Sequence, residues 1–249
     1  MQPDFTGKVA LVTGGGSGIG RATAIAFASR GARVAVADIA AKGGQETVSA
    51  ITKVGRDAFF VQADVAKAMD VEGMVCAVVE RCGRLDFAVN NAGVGSPGGL
   101  THEYTEADFD RILDINLKGV WLCMKYELDQ MLVQGGGAIV NMASVVGLVG
   151  FPEDTAYAAS KHGVVGLTRV AALEYASQGV RINCVCPGPV RTPIYDGQPD
   201  VEAQRAGTIP IGRFGDPKEV AEAIVWLCSS AASYVHGSAL VLDGGFVAQ

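Results

Sequence analysis

The stretch Thr13-Gly14-Gly15-Gly16-Ser17-Gly18-Ile19-Gly20 decides the fold, because it joins an apolar run at Lys8–Thr13 to a helical run at Gly18–Arg30. The apolar run predicts a buried strand, and the longer run after it predicts a helix. Glycines allow close approach of a ligand to the backbone, and the N–H groups at a helix N-terminus bind anions. The stretch therefore predicts a phosphate-binding turn between a strand and a helix.

The same alternation of strand and helix continues to the end of the chain. Further strands are predicted at Arg33–Asp38, Asp57–Ala63, Leu85–Asn90, Gly137–Met142, Val180–Val185 and Ala239–Leu242. Helices are predicted at Lys42–Val54, Met69–Arg81, Thr105–Met131, Thr155–Ser177 and Pro217–Ser229. Apolar strands that alternate with helices indicate an α/β fold. We expect a single-domain Rossmann-type doubly wound parallel sheet of about seven strands over residues 1–249, with helices on both faces and a substrate loop at Pro187–Gly215.

Composition excludes several classes of protein. Of the 249 residues, 49% are hydrophobic and 18% are charged, which argues against a disordered chain. The net charge of −6 argues against nucleic-acid binding, and no apolar run is long enough to span a membrane. The stretch Met1–Phe5 has neither the basic nor the apolar region of a secretion signal. We therefore expect a cytoplasmic protein without membrane or nucleic-acid partners.

The cysteines and histidines lack the spacing of metal ligands. None of the six cysteines forms a C-x-x-C pair, and the three histidines show no metal-binding spacing. The sequence predicts buried, reduced thiols and no metal site. Cys184 and Cys186 are two apart in a predicted strand and should share one face of it.

Asp38, at the end of the second predicted strand, indicates the type of nucleotide. It lies 18 residues beyond Gly20, where a carboxylate binds both ribose hydroxyls and repels a 2′-phosphate. Its neighbours Ser17 and Ile39 are neutral, so the sequence favours NAD over NADP. Asp64 follows the third strand and either binds the adenine amino group or caps the next turn.

Six elements follow one another at strand ends or within helices. They are Thr13–Gly20, Asn90–Gly93, Asn116, Ser144, Tyr157-x-x-x-Lys161 and Pro187-Gly188. Together they resemble the classical short-chain dehydrogenases/reductases over essentially the whole chain. The resemblance implies hydride transfer between the B face of a nicotinamide and an alcohol or ketone. It also implies a homotetramer or homodimer that pairs through the two long helices.

Tyr157 and Lys161 are four residues apart, so a helix places them on one face. A phenol has a pKa of about 10, and a nearby ammonium lowers that pKa by favouring phenolate. Tyr157 is therefore the predicted acid/base, and Ser144 is predicted to hydrogen-bond the substrate oxygen. The resemblance implies that Lys161 also binds the nicotinamide ribose, and that Asn116 steadies a water in a proton relay.

The glycine turn, the acidic strand ends and the resemblance together predict the cofactor site. Its residues are Gly14, Ser17, Gly18, Ile19, Gly20, Asp38, Ile39, Asp64, Val65, Asn91, Ala92, Gly93, Tyr157, Lys161, Pro187, Gly188, Val190 and Thr192. The resemblance implies that the Val190 backbone and the Thr192 hydroxyl meet the nicotinamide carboxamide.

The predicted substrate pocket is mostly apolar. It comprises Gly95, Ser144, Val146, Phe151, Glu153, Tyr157, Ile194 and Tyr195. No Arg or Lys occurs in Val145–Thr155, and an anionic substrate would need a cation there. We expect a neutral hydrophobic or cyclic secondary alcohol or ketone, although Arg191 in the substrate loop counts against this.

Two alternatives remain open for the function. A 3-oxoacyl-carrier-protein reductase would favour NADPH and a basic docking patch, which Asp38 and the negative net charge argue against. A noncatalytic NAD-binding sensor would be expected to lack Ser144, Tyr157 or Lys161, and all three are present.

Overall fold

The computed structural model describes residues 4–192 and 206–248 of the chain. Within them, seven parallel strands form one sheet in the order β3-β2-β1-β4-β5-β6-β7. The strands are β1 (Val9–Thr13), β2 (Arg33–Asp38), β3 (Ala58–Gln62), β4 (Phe87–Asn90), β5 (Gly137–Met142), β6 (Val180–Pro187) and β7 (Ala239–Leu242). Both the strand number and the parallel direction confirm the predicted fold class.

Helices connect the strands and cover both faces of the sheet. They are α1 (Gly18–Ser29), α2 (Ala41–Thr52), α3 (Ala68–Cys82), α4 (Glu106–Leu113), α5 (Gly119–Gln134), α6 (Thr155–Tyr175) and α7 (Pro217–Cys228). Short 3₁₀ turns lie at Thr101–Glu103, Val145–Gly147, Ala176–Gln178 and Ser230–Ala232. In the described residues, no helix is long and apolar enough to cross a membrane.

The strands are apolar on both faces because each face has its own core. Leu11 of β1 packs in a cluster with apolar residues of α3, α5 and α6. Its neighbours Ala10 and Val12 point the other way, into a cluster with residues of α1 and α7. Side chains alternate along a strand, so a strand between two helical layers is apolar at every position. Cys184 and Cys186 lie in the first cluster, which confirms that they share a face. The prediction of buried thiols is wrong for Cys76, which is exposed on α3, and for Cys82, which is half-buried at its end.

The long helix predicted at Thr105–Met131 is not a regular α-helix. It consists of α4, a π-helical turn at Asp114–Lys118, and α5. The π turn contains Asn116, which is completely buried and bonds to the backbone of Val94. A π turn inserts one residue into a helix and often lies at a functional site. Here the buried side chain of Asn116 bonds to the backbone of Val94, which lies beyond the end of β4.

The order of the strands determines where a ligand can bind. The chain runs outward from β1 to β3 and then crosses back to β4 on the other side of β1. The crossovers on either side of this switch point leave in opposite directions, which opens a crevice at the carboxyl ends of the strands. The polar turns after β1, β4, β5 and β6 all meet at this edge.

Candidate active site

A cleft with a volume of about 790 Å³ runs along the carboxyl edge of the sheet. Its size is within the range of small-molecule and cofactor sites. It brings together most of the predicted cofactor residues: Gly14, Ser17, Gly18, Ile19, Asp38, Ile39, Asp64, Val65, Asn91, Ala92, Gly93, Tyr157, Lys161, Pro187, Gly188, Val190 and Thr192. It also includes the predicted pocket residues Gly95, Ser144, Val146 and Phe151.

The turn after β1 has a shape that only glycines allow. Gly14 and Gly18 have φ angles of +62° and +49°, which favour glycine. Gly20 lies behind the turn rather than in the cleft lining, and a Cβ there would come within 2.1 Å of the Gly14 carbonyl oxygen. The close packing keeps the N-terminus of α1 beside the cleft, where the positive end of the helix dipole favours an anion.

The turn after β4 braces the glycine turn. The Asn91 amide donates to the carbonyl oxygens of Thr13 (2.9 Å) and Gly14 (3.2 Å). In return, the Thr13 hydroxyl accepts from the backbone N–H groups of Asn91 and Ala92 at 3.0 and 3.1 Å. These bonds fix the two turns relative to each other on either side of the switch point.

Two aspartates near the ends of neighbouring strands line the cleft on the side of the glycine turn: Asp38 is the last residue of β2, and Asp64 lies two residues after β3. The Asp38 carboxylate accepts from the N–H groups of Gly16 and Ala40, each at 2.8 Å, and is held at the rim beside the glycine turn. Asp64 accepts from the Ala66 N–H at 3.1 Å, which is the turn-capping contact considered for it from the sequence. Both side chains also line the cleft, so capping does not exclude a contact with a ligand.

Three of the four predicted catalytic side chains, those of Ser144, Tyr157 and Lys161, line the cleft beyond the end of β5. Ser144 lies two residues after the end of β5, and its hydroxyl accepts from the Val146 N–H at 3.2 Å. Lys161 is one helical turn after Tyr157 on α6, with its ammonium 5.6 Å from the centre of the Tyr157 ring. The Met142 carbonyl accepts from that ammonium at 2.8 Å. Burial lowers the pKa of Lys161 to about 8.

Asn116 lies behind the cleft rather than in its described lining. Its side-chain oxygen accepts from the Val94 N–H at 2.8 Å, and its amide donates to the Val94 carbonyl at 2.9 Å. A Cβ on Gly93 would lie 3.1 Å from the Asn116 oxygen and 3.7 Å from the Lys161 ammonium. Asn116 therefore fixes the turn at Gly93 and Val94, and Gly93 lies between Asn116 and the Lys161 ammonium. Its role in a water relay stays a prediction.

Of the predicted pocket residues that the structure describes, Glu153 is the one that does not line the cleft. Glu153 is exposed, with a φ angle of +68°, and its backbone carbonyl accepts from the Tyr104 hydroxyl at 2.9 Å. Asp154, next to it, lines the cleft instead. Ile194 and Tyr195 lie outside the described residues.

The sequence did not predict that Phe246 lines the cleft. Phe246 lies beyond β7, and its ring centre is 6.2 Å from that of Phe151. It belongs to no recognisable motif, although the two glycines before it are typical of a sharp turn. Thr208, which lies in the predicted substrate loop, also lines the cleft, as do Ser96 and Asp154.

The described residues contain no group of three or more potential metal-binding side chains. The donor set instead fits a nicotinamide dinucleotide. A glycine turn beside a helix N-terminus suits the pyrophosphate, and a carboxylate at a strand end suits the ribose hydroxyls. An added Cβ at Gly14 would clash with Asn91 and Ala92, and one at Gly20 would clash with the Gly14 carbonyl, so these two glycines keep the shape of the cradle.

Comparisons with known proteins agree with this geometry. A family model described as enoyl-(acyl carrier protein) reductase matches residues 14–247. The chain is 46% identical over 250 residues to 2,5-dichloro-2,5-cyclohexadiene-1,4-diol dehydrogenase of Sphingobium indicum, covering 98% of this chain and 99% of that protein. It is 43% identical to cyclohexanol dehydrogenase of an Acinetobacter species, with 100% and 98% covered. The crystal structure of levodione reductase superposes with a TM-score of 0.93 at 39% identity, with 97% and 98% covered.

Proposed function

Because the chain belongs to the classical short-chain dehydrogenase/reductase family, we propose that it is an NAD-dependent dehydrogenase of a neutral, cyclic secondary alcohol. The chain is an oxidoreductase that acts on hydroxyl groups or their ketones, as its named relatives are. One observation supports the more specific proposal of an NAD-dependent alcohol dehydrogenase. A single cleft holds Ser144, Tyr157 and Lys161 at one end and the Asp38 carboxylate at the other.

Asp38 supports the preference for NAD over NADP. Its carboxylate is fixed by two backbone N–H groups at the rim of the glycine turn, so it cannot swing away from a bound ribose without losing both bonds. A fixed carboxylate accepts from ribose hydroxyls and repels a 2′-phosphate. The next residue, Ile39, is 63% exposed and carries no charge to offset this repulsion.

The catalytic residues divide the proton chemistry among them. NAD, when bound, supplies the acceptor for the hydride that leaves the carbinol carbon. Tyr157 takes the hydroxyl proton of the alcohol, or returns it to the carbonyl in the reverse direction. The Lys161 ammonium favours the phenolate form of Tyr157. Because the Ser144 oxygen accepts from Val146, its own O–H can donate to the substrate oxygen and stabilise alkoxide charge.

The charges in the cleft support a neutral substrate. Among the described residues that line it, Lys161 is the only basic one, and its ammonium is bonded to a backbone carbonyl deep beside Tyr157. Asp154 lines the cleft near Phe151 and adds negative charge. An anionic substrate would meet this carboxylate without a matching cation. Relatives named for cyclohexanol, for a cyclic diol and for a hydroxycyclohexanecarboxylate support a ring-shaped substrate, and its neutrality is argued from the charges in the cleft alone.

The test is NADH formation by the purified protein with a panel of alcohols. We expect turnover of cyclohexanol and cyclohexanediols with NAD, and at least about tenfold lower kcat/KM with 4-hydroxycyclohexanecarboxylate. Acetoacetyl thioester with NADPH tests the acyl-carrier alternative in the same assay. A preference for that thioester over every cyclic alcohol would contradict the proposal.

A matched pair of variants tests the roles of the site residues. Tyr157→Phe removes only the phenolic oxygen, so we expect kcat to fall at least about 100-fold while NADH binding survives. Asp38→Ser combined with Ile39→Arg removes the repelling charge and adds a cation, so the ratio of NADP to NAD use should rise. Turnover by Tyr157→Phe at the parent rate would remove Tyr157 from the mechanism. An unchanged cofactor ratio would remove Asp38 from cofactor selection.

We also propose that the chain assembles as a homodimer or homotetramer through α5 and α6. Trp121, Val170 and Leu173 are exposed on these helices by 46%, 55% and 84%. Large apolar side chains grouped on a surface are typical of an interaction site. Light scattering of the purified protein should give a multiple of the chain mass, and Val170→Asp should lower it. A monomeric parent protein would contradict this proposal.

We further propose that residues 1–249 form one catalytic domain that works in the cytoplasm. The glycine turn and Ser144 follow strands of one sheet, and α6, which carries Tyr157 and Lys161, packs against that sheet, which supports a single domain. All six cysteines are free, which is typical of a reducing compartment.

A further inference from the structure

The segment that follows β7 turns sharply back toward the cleft. The Asp243 carboxylate accepts from the N–H groups of Gly245 and Val247, each at 2.8 Å. The two residues after Asp243, Gly244 and Gly245, have φ angles of +63° and +90°, which residues with a side chain rarely adopt. The carboxylate and the two glycines therefore fix the conformation of Asp243–Val247, which we term the C-terminal turn.

The C-terminal turn also packs against Gly188, one of the predicted cofactor residues that line the cleft. The Gly188 N–H donates to the carbonyl of Leu242 at 3.0 Å, and a Cβ on Gly188 would lie 2.8 Å from the Asp243 Cβ. On its other side, the Ile211 N–H donates to the Gly244 carbonyl at 3.2 Å. The turn that carries Phe246 is thus held against two other segments of the chain, at Gly188 and at Ile211.

This turn directs Phe246 into the cleft, where it meets Phe151. The two ring centres are 6.2 Å apart and the ring planes differ by 40°. Both rings line the same cleft as Ser144 and Tyr157. Aromatic rings at this separation and tilt are in a favourable contact, so they form one continuous apolar surface. We term the pair Phe151 and Phe246 the aromatic wall.

We propose that Phe246 is a specificity-determining residue that completes an aromatic wall for the ring of a cyclic alcohol. This rests on the proposed function and deepens it. A saturated six-membered ring is rigid, so it gains contact with the wall without losing internal rotations. An acyclic alcohol of the same carbon number must order several bonds to make the same contact. The wall therefore favours the cyclic substrate and positions its carbinol carbon beside Tyr157.

The experiment compares cyclohexanol with hexan-2-ol, which has the same number of carbons. The variants are Phe246→Ala, Phe246→Leu and the control Val247→Ala, which changes a residue of the same turn that is not in the described cleft lining. Phe246→Ala should lower kcat/KM for cyclohexanol about tenfold or more, mainly through KM, because that is the size expected for a lost apolar contact. The kcat/KM for hexan-2-ol should fall by less than about threefold, because that chain uses the wall less.

Phe246→Leu should recover part of the loss, since it restores apolar volume without a ring. The NADH dissociation constant, measured by fluorescence, should stay within about twofold in all variants, as should the kinetics of Val247→Ala. Equal losses with both alcohols, or a loss confined to NADH affinity, would overturn the inference while leaving the proposed function intact. A parent protein that oxidises neither alcohol would instead remove the proposed function, and the inference with it. Thermal unfolding identifies a variant that has lost its fold, and Phe246→Leu then carries the test.

Discussion

A carboxyl group in the core, that of Glu127 on α5, should make the stability of this protein depend on pH. Glu127 is completely buried, and one of its oxygens accepts from the Asn90 amide at 3.0 Å. Within the described structure, its other oxygen and the side-chain oxygen of Asn90 have no hydrogen-bond partner. Burial raises the pKa of Glu127 to about 8, so the carboxyl is mostly protonated at neutral pH.

The sign and size of the effect follow from this pKa. The ordinary value is 4.5 and the folded value is about 8, so the folded chain binds this proton more tightly than the unfolded chain does. Between these two pH values the folded state carries more protons, and the free energy of unfolding therefore falls as pH rises. At about 1.4 kcal/mol per pH unit the whole effect is on the order of 5 kcal/mol, and it is complete above pH 8.

The variant Glu127→Gln isolates this contribution. Glutamine is neutral at every pH and offers an N–H in place of the acid proton. Urea unfolding at pH 5.5 and 8.5, at one protein concentration, gives the free energy of unfolding of each protein. We expect the parent to lose about 3 kcal/mol more than the variant over this interval.

The control is Glu174→Gln, which removes a carboxylate from the exposed side of α6. This variant should keep the pH dependence of the parent. Parallel pH dependence of the parent and Glu127→Gln would refute the reasoning, because it would mean that Glu127 has the same proton affinity in both states.

Three further variants test the site and the strand that supports it. Lys161→Met should lower kcat by about 100-fold in the NADH assay, because Tyr157 loses the ammonium beside it. Gly20→Ala should raise the NADH dissociation constant on the order of tenfold or more in a fluorescence titration, because the new methyl displaces the glycine turn. Asp86→Asn should cost about 1–3 kcal/mol in urea at pH 7. Burial opposes ionisation of Asp86, but bonds from Arg84, the Val9 N–H and Lys8 outweigh it and lower its pKa. This stability is lost as pH falls through that lowered pKa, so parent and variant should converge in acid.

The strands could be predicted from the sequence because each lies between two cores. A strand that is apolar on both faces gives an unbroken apolar run, and Arg33–Asp38 and Gly137–Met142 have the predicted bounds. The π turn at Asp114–Lys118 could not be predicted, because its residues have the same spacing as a regular helix. Its cause is a tertiary contact, the two bonds between Asn116 and the Val94 backbone, which no local pattern reveals.

The difference between local pattern and tertiary contact also explains which site residues could be predicted. The glycine turn directly follows β1 and Ser144 lies two residues after β5, so the sheet topology alone brings them to one edge. Phe246 reaches that edge through a turn whose conformation depends on the Asp243 carboxylate and on contacts with distant segments. Glu153 and Asp154 are adjacent, and only the backbone conformation decides which of them lines the cleft. Such choices depend on φ and ψ rather than on residue type.

The register of the strands links the buried polar groups to the site. Asn90 on β4 is directly opposite Asn141 on β5, and the Asn90 amide donates to the Asn141 oxygen at 3.0 Å. Asn141 in turn donates to the Thr168 hydroxyl of α6 at 3.0 Å. Apolar side chains alone would tolerate a slip of two residues, which keeps every side chain on its own face. Such a slip would separate these amides and leave polar groups unpaired in the core, at a cost of several kcal/mol. Because Ser144 comes three residues after Asn141, the amides that fix the register of β5 also fix the position of Ser144 relative to the neighbouring strands.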